Sequence, residues 1–153
     1  MKKIIILLIL ISFFEANSQE WSPVKGKMMT KWGKQVTPNN VWQEYPRPQF
    51  FRKDWVNLNG LWEFSISKTN ESKPEKFQNK ILVPFSVEST LSGVGKSIRN
   101  DDRMWYKRSF KISKDWKEKD VVLNFEAVDY NTIVWINGIL VGTHKGGFDR
   151  FSF

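Results

Sequence analysis

"TIVWINGILVGTH", Thr132 to His144, sets two apolar runs either side of Asn137-Gly138. A two-residue type I′ turn needs positive φ at both central positions, and Asn-Gly meets that need at the lowest steric cost. The stretch therefore predicts a β-hairpin. A chain built around such hairpins is sheet-rich, and the neighbouring segments carry the same signature.

Upstream, "DVVLNFEAV" (120–128) alternates, with Val121, Leu123, Phe125 and Ala127 on one face. "MWYKRSFKI" (104–112) sets Tyr106, Phe110 and Ile112 against Lys107, Ser109 and Lys111. "WVNLNGLWEFSIS" (55–67) has a turn signal at Asn59-Gly60, then Trp62, Phe64 and Ile66 against Glu63, Ser65 and Ser67. Period-two alternation marks half-buried strands. "ILVPF" (81–85) is a short apolar strand ended by Pro84, which has no amide hydrogen to give a ladder. No amphipathic helix is predicted; "SKDWKEKD" (113–120) amounts to one turn. About six short strands punctuated by Gly, Pro and Asn predict an all-β fold, an antiparallel β-sandwich.

The first residues follow a different logic. Lys2 and Lys3 precede an apolar run from Ile4 to Phe14, and Ala16-Asn17-Ser18 supplies small residues at a cleavage site. Residues 1–18 thus read as a signal peptide, too short for a span of about 20 residues. The expectation is an exported protein, periplasmic or extracellular, with no membrane span. Residues 19–44 read as an extended N-terminal arm. The irregular, Pro-rich stretch continues to Phe51, and Trp32, Trp42 and Tyr45 are its expected anchors on the body.

Composition narrows the function classes. The chain is 41% hydrophobic and 26% charged, which places it among globular rather than disordered sequences. It has no Cys, so thiol catalysis, disulfides and Cys-ligated metals are excluded. The net charge of +8 falls to +7 without Lys2, Lys3 and Glu15, but the basic residues are scattered. Nucleic-acid binders gather their charge on one face, so no nucleic-acid partner is expected. No cofactor or metal is expected either.

Catalytic constellations are sparse. "GVGKS" (93–97) lacks the spacing of a phosphate loop and reads as a flexible loop. The Ser- and Gly-rich stretch around it, 86–102, is long for a compact domain, and such loops are often functional. Asp101 and Asp102 form a carboxylate pair, yet adjacent residues on extended backbone point to opposite sides, which suits a solvated turn better than a glycosidic bond. His144 is expected to satisfy backbone groups near a turn rather than act as a base, because no orienting partner is visible. Most of the Trp residues are expected in the core.

Taken in series, "PRPQFFRKDWVNLNGLWEF", "ILVPFSVEST", "MWYKRSF" and "FEAVDYNTIVWINGILVGTHKGGFDRFSF" resemble the N-terminal sugar-binding domain of glycoside hydrolase family 2, which includes β-galactosidases, β-glucuronidases and β-mannosidases. The resemblance runs from Tyr45 to Phe153. It implies a jelly-roll sandwich of the galactose-binding-domain type at 45–153, followed in the family by an immunoglobulin-like domain and a TIM barrel that carries both catalytic glutamates. The chain is then expected to be incomplete at its C-terminus, with Phe148, Phe151 and Phe153 belonging to a core that later strands would close. It is expected to hold no catalytic residue itself, and to act on a carbohydrate only as part of a retaining O-glycosidase. Asn100, Asp101 and Asp102 are the candidates for the rim of that active site. The alternative is a free-standing carbohydrate-binding module or a structural adhesion sandwich.

Overall fold

The computed structural model describes residues 21–47, 49–50 and 52–153. The expected leader at 1–18, the first two residues of the arm, Pro48 and Phe51 lie outside the described residues. The chain folds as two compact units, one ending at Phe110 and one running from Lys111 to Phe153. Both are all-β and antiparallel, the build expected of a β-sandwich domain. Among the described residues the helical pieces are 3-10 turns: Gly33–Gln35, Thr90–Ser92 and Lys114–Trp116.

In the first unit, strand β1 (Gly60–Lys68) lies between β2 (Asn79–Val83) and β3 (Asp102–Lys107). Trp62 pairs with Ile81, and Phe64 pairs with Asn79 on one side and Tyr106 on the other. The alternation works as read for Phe64, which is fully buried with Ile81 and Val87 and is ringed by Trp62, Ile66, Val83, Val94, Ile98 and Met104. Each such side chain taken from water contributes roughly 1.5–3 kcal/mol. Tyr106 meets the Phe64 ring edge-on at 5.0 Å.

Four expectations fail in this unit, each for a local reason. Ser65, assigned to the polar face, is buried; its Oγ accepts a hydrogen bond from the Gln78 amide at 2.9 Å, so the hydroxyl has a partner without water. Asn59-Gly60 leads directly into β1, which begins at Gly60, rather than forming a turn. Gly60 has φ 125°, and a Cβ there would lie 3.0 Å from Arg108 Nη1. Strand β3 stops at Lys107 instead of continuing to Ile112, because Arg108 turns back to donate to the Leu58 and Asn59 carbonyls at 2.9 and 3.0 Å. Of the expected anchors, Trp32 is 67% exposed and does not pin the arm; Trp42, 62% exposed, still meets the Phe85 ring at 5.7 Å and its carbonyl accepts from the Asn57 and Asn59 side chains, while Val41, 1% exposed, is the buried apolar residue of that stretch. Tyr45 does pack, edge-on to Trp55 at 5.0 Å.

In the second unit, β5 (Asn131–Ile136) and β6 (Ile139–Lys145) form the hairpin that Asn137-Gly138 predicts. Both turn residues have positive φ, 51° and 82°. A register shift between Val134 and Trp135 marks a bulge. Of the alternating 120–128 segment, only β4 (Asn124–Phe125) is strand, pairing with β7 (Phe151–Ser152). Leu123 and Phe153 exchange backbone hydrogen bonds at 2.8 and 3.0 Å. Phe125, Phe151 and Phe153 then pack as one aromatic group, the first two stacked at 4.8 Å. Phe148, expected in the core with them, is fully exposed. No described Trp is fully buried, and the core reading holds only in part: Trp62 packs on the Phe64 core, whereas Trp32, Trp42 and Trp135 are exposed. The indole is large, and a small sheet covers only one of its sides.

Candidate functional site

The long loop between β2 and β3 has an internal frame, where the sequence suggested only flexibility. Ser92 is its centre. It is completely buried, and its Oγ reaches the Val87 and Ser89 carbonyls at 2.9 and 2.8 Å. The same oxygen accepts from the Val94 and Gly95 amides at 3.0 and 3.3 Å. Ser89 caps the 3-10 turn Thr90–Ser92 by accepting from the Ser92 amide at 3.2 Å. Gly93 then leaves the turn with φ 80°, a conformation that favours glycine.

The N-terminal arm straps this frame. The Val24 amide donates to the Thr90 carbonyl at 2.9 Å. Lys27 Nζ donates to the Glu88 and Gly95 carbonyls at 2.9 and 3.1 Å, and Thr90 Oγ1 to the Met28 carbonyl at 3.3 Å. Two glycines allow the approach: a Cβ on Gly93 would lie 2.7 Å from the Trp21 ring, and one on Gly95 would lie 2.7 Å from Val24. Sequence reasoning missed this use of Trp21 and Val24, because residues more than sixty positions apart carry no periodic signal.

At the other end of the loop stand the three predicted rim residues. Asn100 is exposed in the turn that leads into β3. Asp101 and Asp102 do not diverge as extended neighbours would. Both carboxylates reach Lys68 Nζ, at 3.0 and 2.6 Å. The reason is that Asp101 still belongs to the turn, where its carbonyl accepts from the Thr69 amide at 2.9 Å, while Asp102 begins the strand. The side chains are unequal: Asp101 is 62% exposed and Asp102 only 11%. Asp102 also accepts from the Arg99 amide at 2.9 Å. The Lys68 hydrogen bond, followed by that amide, holds the Asp102 carboxyl below the usual range, and Asp102 and then Asp101 raise Lys68 in turn. Asp102 is thus a fixed anion in the loop's closure, whereas Asn100 is exposed and Asp101, though more exposed, shares the same lysine.

His144 does not serve the backbone near the turn as expected. Its ring stacks on Phe151 at 4.1 Å, and its buried Nε2 has no hydrogen-bond partner among the described residues. Among the described residues no group of three or more His, Cys, Asp and Glu is placed to hold a metal ion.

The sequence of residues 55–153 matches the family described as glycosyl hydrolases family 2, sugar binding domain. This chain belongs to that family. The sugar-binding domain has similar segments in longer proteins. A β-galactosidase from Thermoanaerobacter pseudethanolicus is 43% identical over 107 residues, covering 67% of this chain and 14% of that protein. A β-glucuronidase from Paenibacillus borealis is 26% identical over 102 residues, covering 63% of this chain and 17% of its own length. The dog β-glucuronidase is 30% identical over 125 residues, 71% of this chain and 19% of the relative. The sugar-binding domain described here therefore spans under a fifth of these relatives. No helix among the described residues is long and apolar enough to cross a membrane.

Proposed function

We propose that the chain is the N-terminal carbohydrate-binding and scaffolding domain of an exported family 2 glycoside hydrolase that cleaves O-glycosyl bonds. The family match over 55–153, to relatives named β-glucuronidase and β-galactosidase that are several times longer, carries this reading. The hydrolysis itself is retaining, through a carboxylic acid and a carboxylate nucleophile about 5–5.5 Å apart, on a barrel that this chain does not contain. The chain supplies strands of a jelly-roll sandwich, and its β2–β3 loop supplies Asn100, Asp101 and Asp102 to the rim where the sugar enters. Its basic, apolar N-terminus directs export and is removed after Ser18.

The experiment is expression of the chain in frame with the coding sequence that follows it, assayed on p-nitrophenyl β-D-glucuronide and β-D-galactoside. Turnover of either supports the reading, and Asn100→Ala or Asp101→Asn then raises KM. Absence of turnover on every aryl glycoside overturns it. Intact mass of the secreted protein tests the leader: a product that begins before Gln19 contradicts the cleavage site.

A further inference from the structure

Trp42, in the N-terminal arm, has φ 40°, in the left-handed region that aromatic residues rarely adopt. Backbone of this kind persists only where its surroundings hold it, and it gathers at ligand clamps and switch regions. Here the hold is double. The Trp42 carbonyl accepts from Asn57 Nδ2 at 2.7 Å and from Asn59 Nδ2 at 3.1 Å. Val41, just before it, is buried, and its carbonyl accepts from Gln43 Nε2 at 3.1 Å. Yet the side chain that these contacts fix is not packed away. The indole lies mostly in solvent, tilted 50° against the Phe85 ring at 5.7 Å. A core residue gains stability from burial; this one keeps strained backbone and leaves an aromatic face outside.

The groups around the indole suit a sugar ring. A pyranose has an apolar C–H face, and Trp offers a large flat apolar surface to set against it. Gln43, Asn57 and Asn59 bring their carboxamides to the two adjacent carbonyls of Val41 and Trp42. A carboxamide both donates and accepts, as sugar hydroxyls do. Among the described residues the side-chain oxygens of Gln43 and Asn59 accept no hydrogen bond, and each amide nitrogen gives only one. None of these side chains is charged, so nothing here favours an anion. A protein partner would bury roughly 800 Å² on this side, and two rings flanked by carboxamides fall well short of that.

We propose that Trp42 and Phe85 form a platform for a neutral saccharide, with a pyranose C–H face on the indole and its hydroxyls on Gln43 and Asn59. Phe85 and Asn59 lie within the residues 55–153 that match the sugar binding domain, and the arm adds Trp42 to them. The proposal rests on the reading that the chain recognises carbohydrate, and assigns that recognition to residues other than Asn100, Asp101 and Asp102.

The test is a titration of the full chain, followed through its indole N–H resonances and by calorimetry. The probes are β-1,4-galactotriose, cellotriose, trigalacturonate and an apolar anilinonaphthalene dye. At least one neutral trisaccharide binds and shifts the indole resonance that Trp42→Phe removes. Trp42→Ala weakens that binding about tenfold, the upper end for one aromatic contact, and Trp42→Phe retains most of it. Gln43→Ala weakens it about threefold, as loss of one neutral hydrogen bond does. Trp42→Gly, which relieves the left-handed backbone, loses binding without lowering Tm. A lower Tm for that variant shows that Trp42 serves the fold and overturns the platform. Sugar binding untouched by Trp42→Ala moves recognition elsewhere and overturns the proposal, while carbohydrate recognition by the chain stands. Trigalacturonate binding more tightly than both neutral sugars refutes the neutral class. A Trp42 resonance that answers the dye and no sugar makes the patch an apolar docking point and refutes the saccharide. Silence toward every probe overturns the proposal, and turnover by the joined enzyme remains the separate judge of the reading beneath it.

Discussion

Two glycines of the β5–β6 hairpin separate two kinds of packing cost. A Cβ on Gly142 would fall 2.1 Å from Phe153 Cε1, with two further ring atoms within 2.9 Å. To reach the 3.4 Å at which ordinary contact begins, the ring retreats by about 1.3 Å. It has little room to do so, because the backbone of Phe153 is tied to Leu123 in both directions and its ring meets Phe125 and Phe151. Overpacking of this sort costs about 1–3 kcal/mol. Gly142→Ala is therefore expected to destabilise by about 2 kcal/mol, or roughly 4–8 °C in Tm for a chain of this length. At Gly138 a Cβ meets open space, and only φ 82° opposes it. Gly138→Ala should cost about 1–2 kcal/mol, from left-handed backbone alone. The assay is thermal unfolding followed by circular dichroism, with Phe153→Leu as the second mutation of a cycle. Gly142→Ala and Phe153→Leu should be strongly non-additive, because the smaller side chain relieves the clash. Gly138→Ala and Phe153→Leu should add. A harmless Gly142→Ala, or additive behaviour with Phe153→Leu, would refute the packing of Phe153 on the hairpin.

The loop and its ion cluster give further expectations. Gly93→Ala meets both φ 80° and the Trp21 ring. It should destabilise by about 1–2 kcal/mol from the left-handed backbone alone, and faster hydrogen exchange at the Val24 and Gly95 amides would report release of the arm. Asp102 has a folded-state pKa below 3.8, so its contribution is present above that pH and is lost as pH falls through the folded value. Asp102→Asn should flatten the acid limb of a stability–pH profile followed by circular dichroism; an unchanged acid limb would contradict the role given to Asp102.

Short-range signals in the sequence were read well where the backbone itself demands a residue type. Asn137-Gly138 fixed the hairpin because positive φ at two successive positions leaves few alternatives. Phe64 was legible because alternation reports one buried face. Ser65 was not, since its burial depends on an amide thirteen residues away that sequence does not place beside it. The end of β3 at Lys107 was hidden in the same way: the alternation continues, and only the return of Arg108 to Leu58 and Asn59 halts the strand. At the candidate site, the residue types of Asn100, Asp101 and Asp102 were visible, but their arrangement required Lys68, contributed by the far end of another strand. The strap of Trp21, Val24 and Lys27 over Gly93 and Gly95 left no sequence signal beyond the glycines themselves.

Complementation tests the scaffolding role most directly. The chain and the separately produced downstream part of the proposed enzyme are assayed on p-nitrophenyl β-D-glucuronide and β-D-galactoside, each alone and then mixed. The account predicts background rates from the chain alone, a weak or absent rate from the downstream part alone, and recovered turnover on mixing. Turnover by the chain alone, or a downstream part equally active without it, would contradict that role.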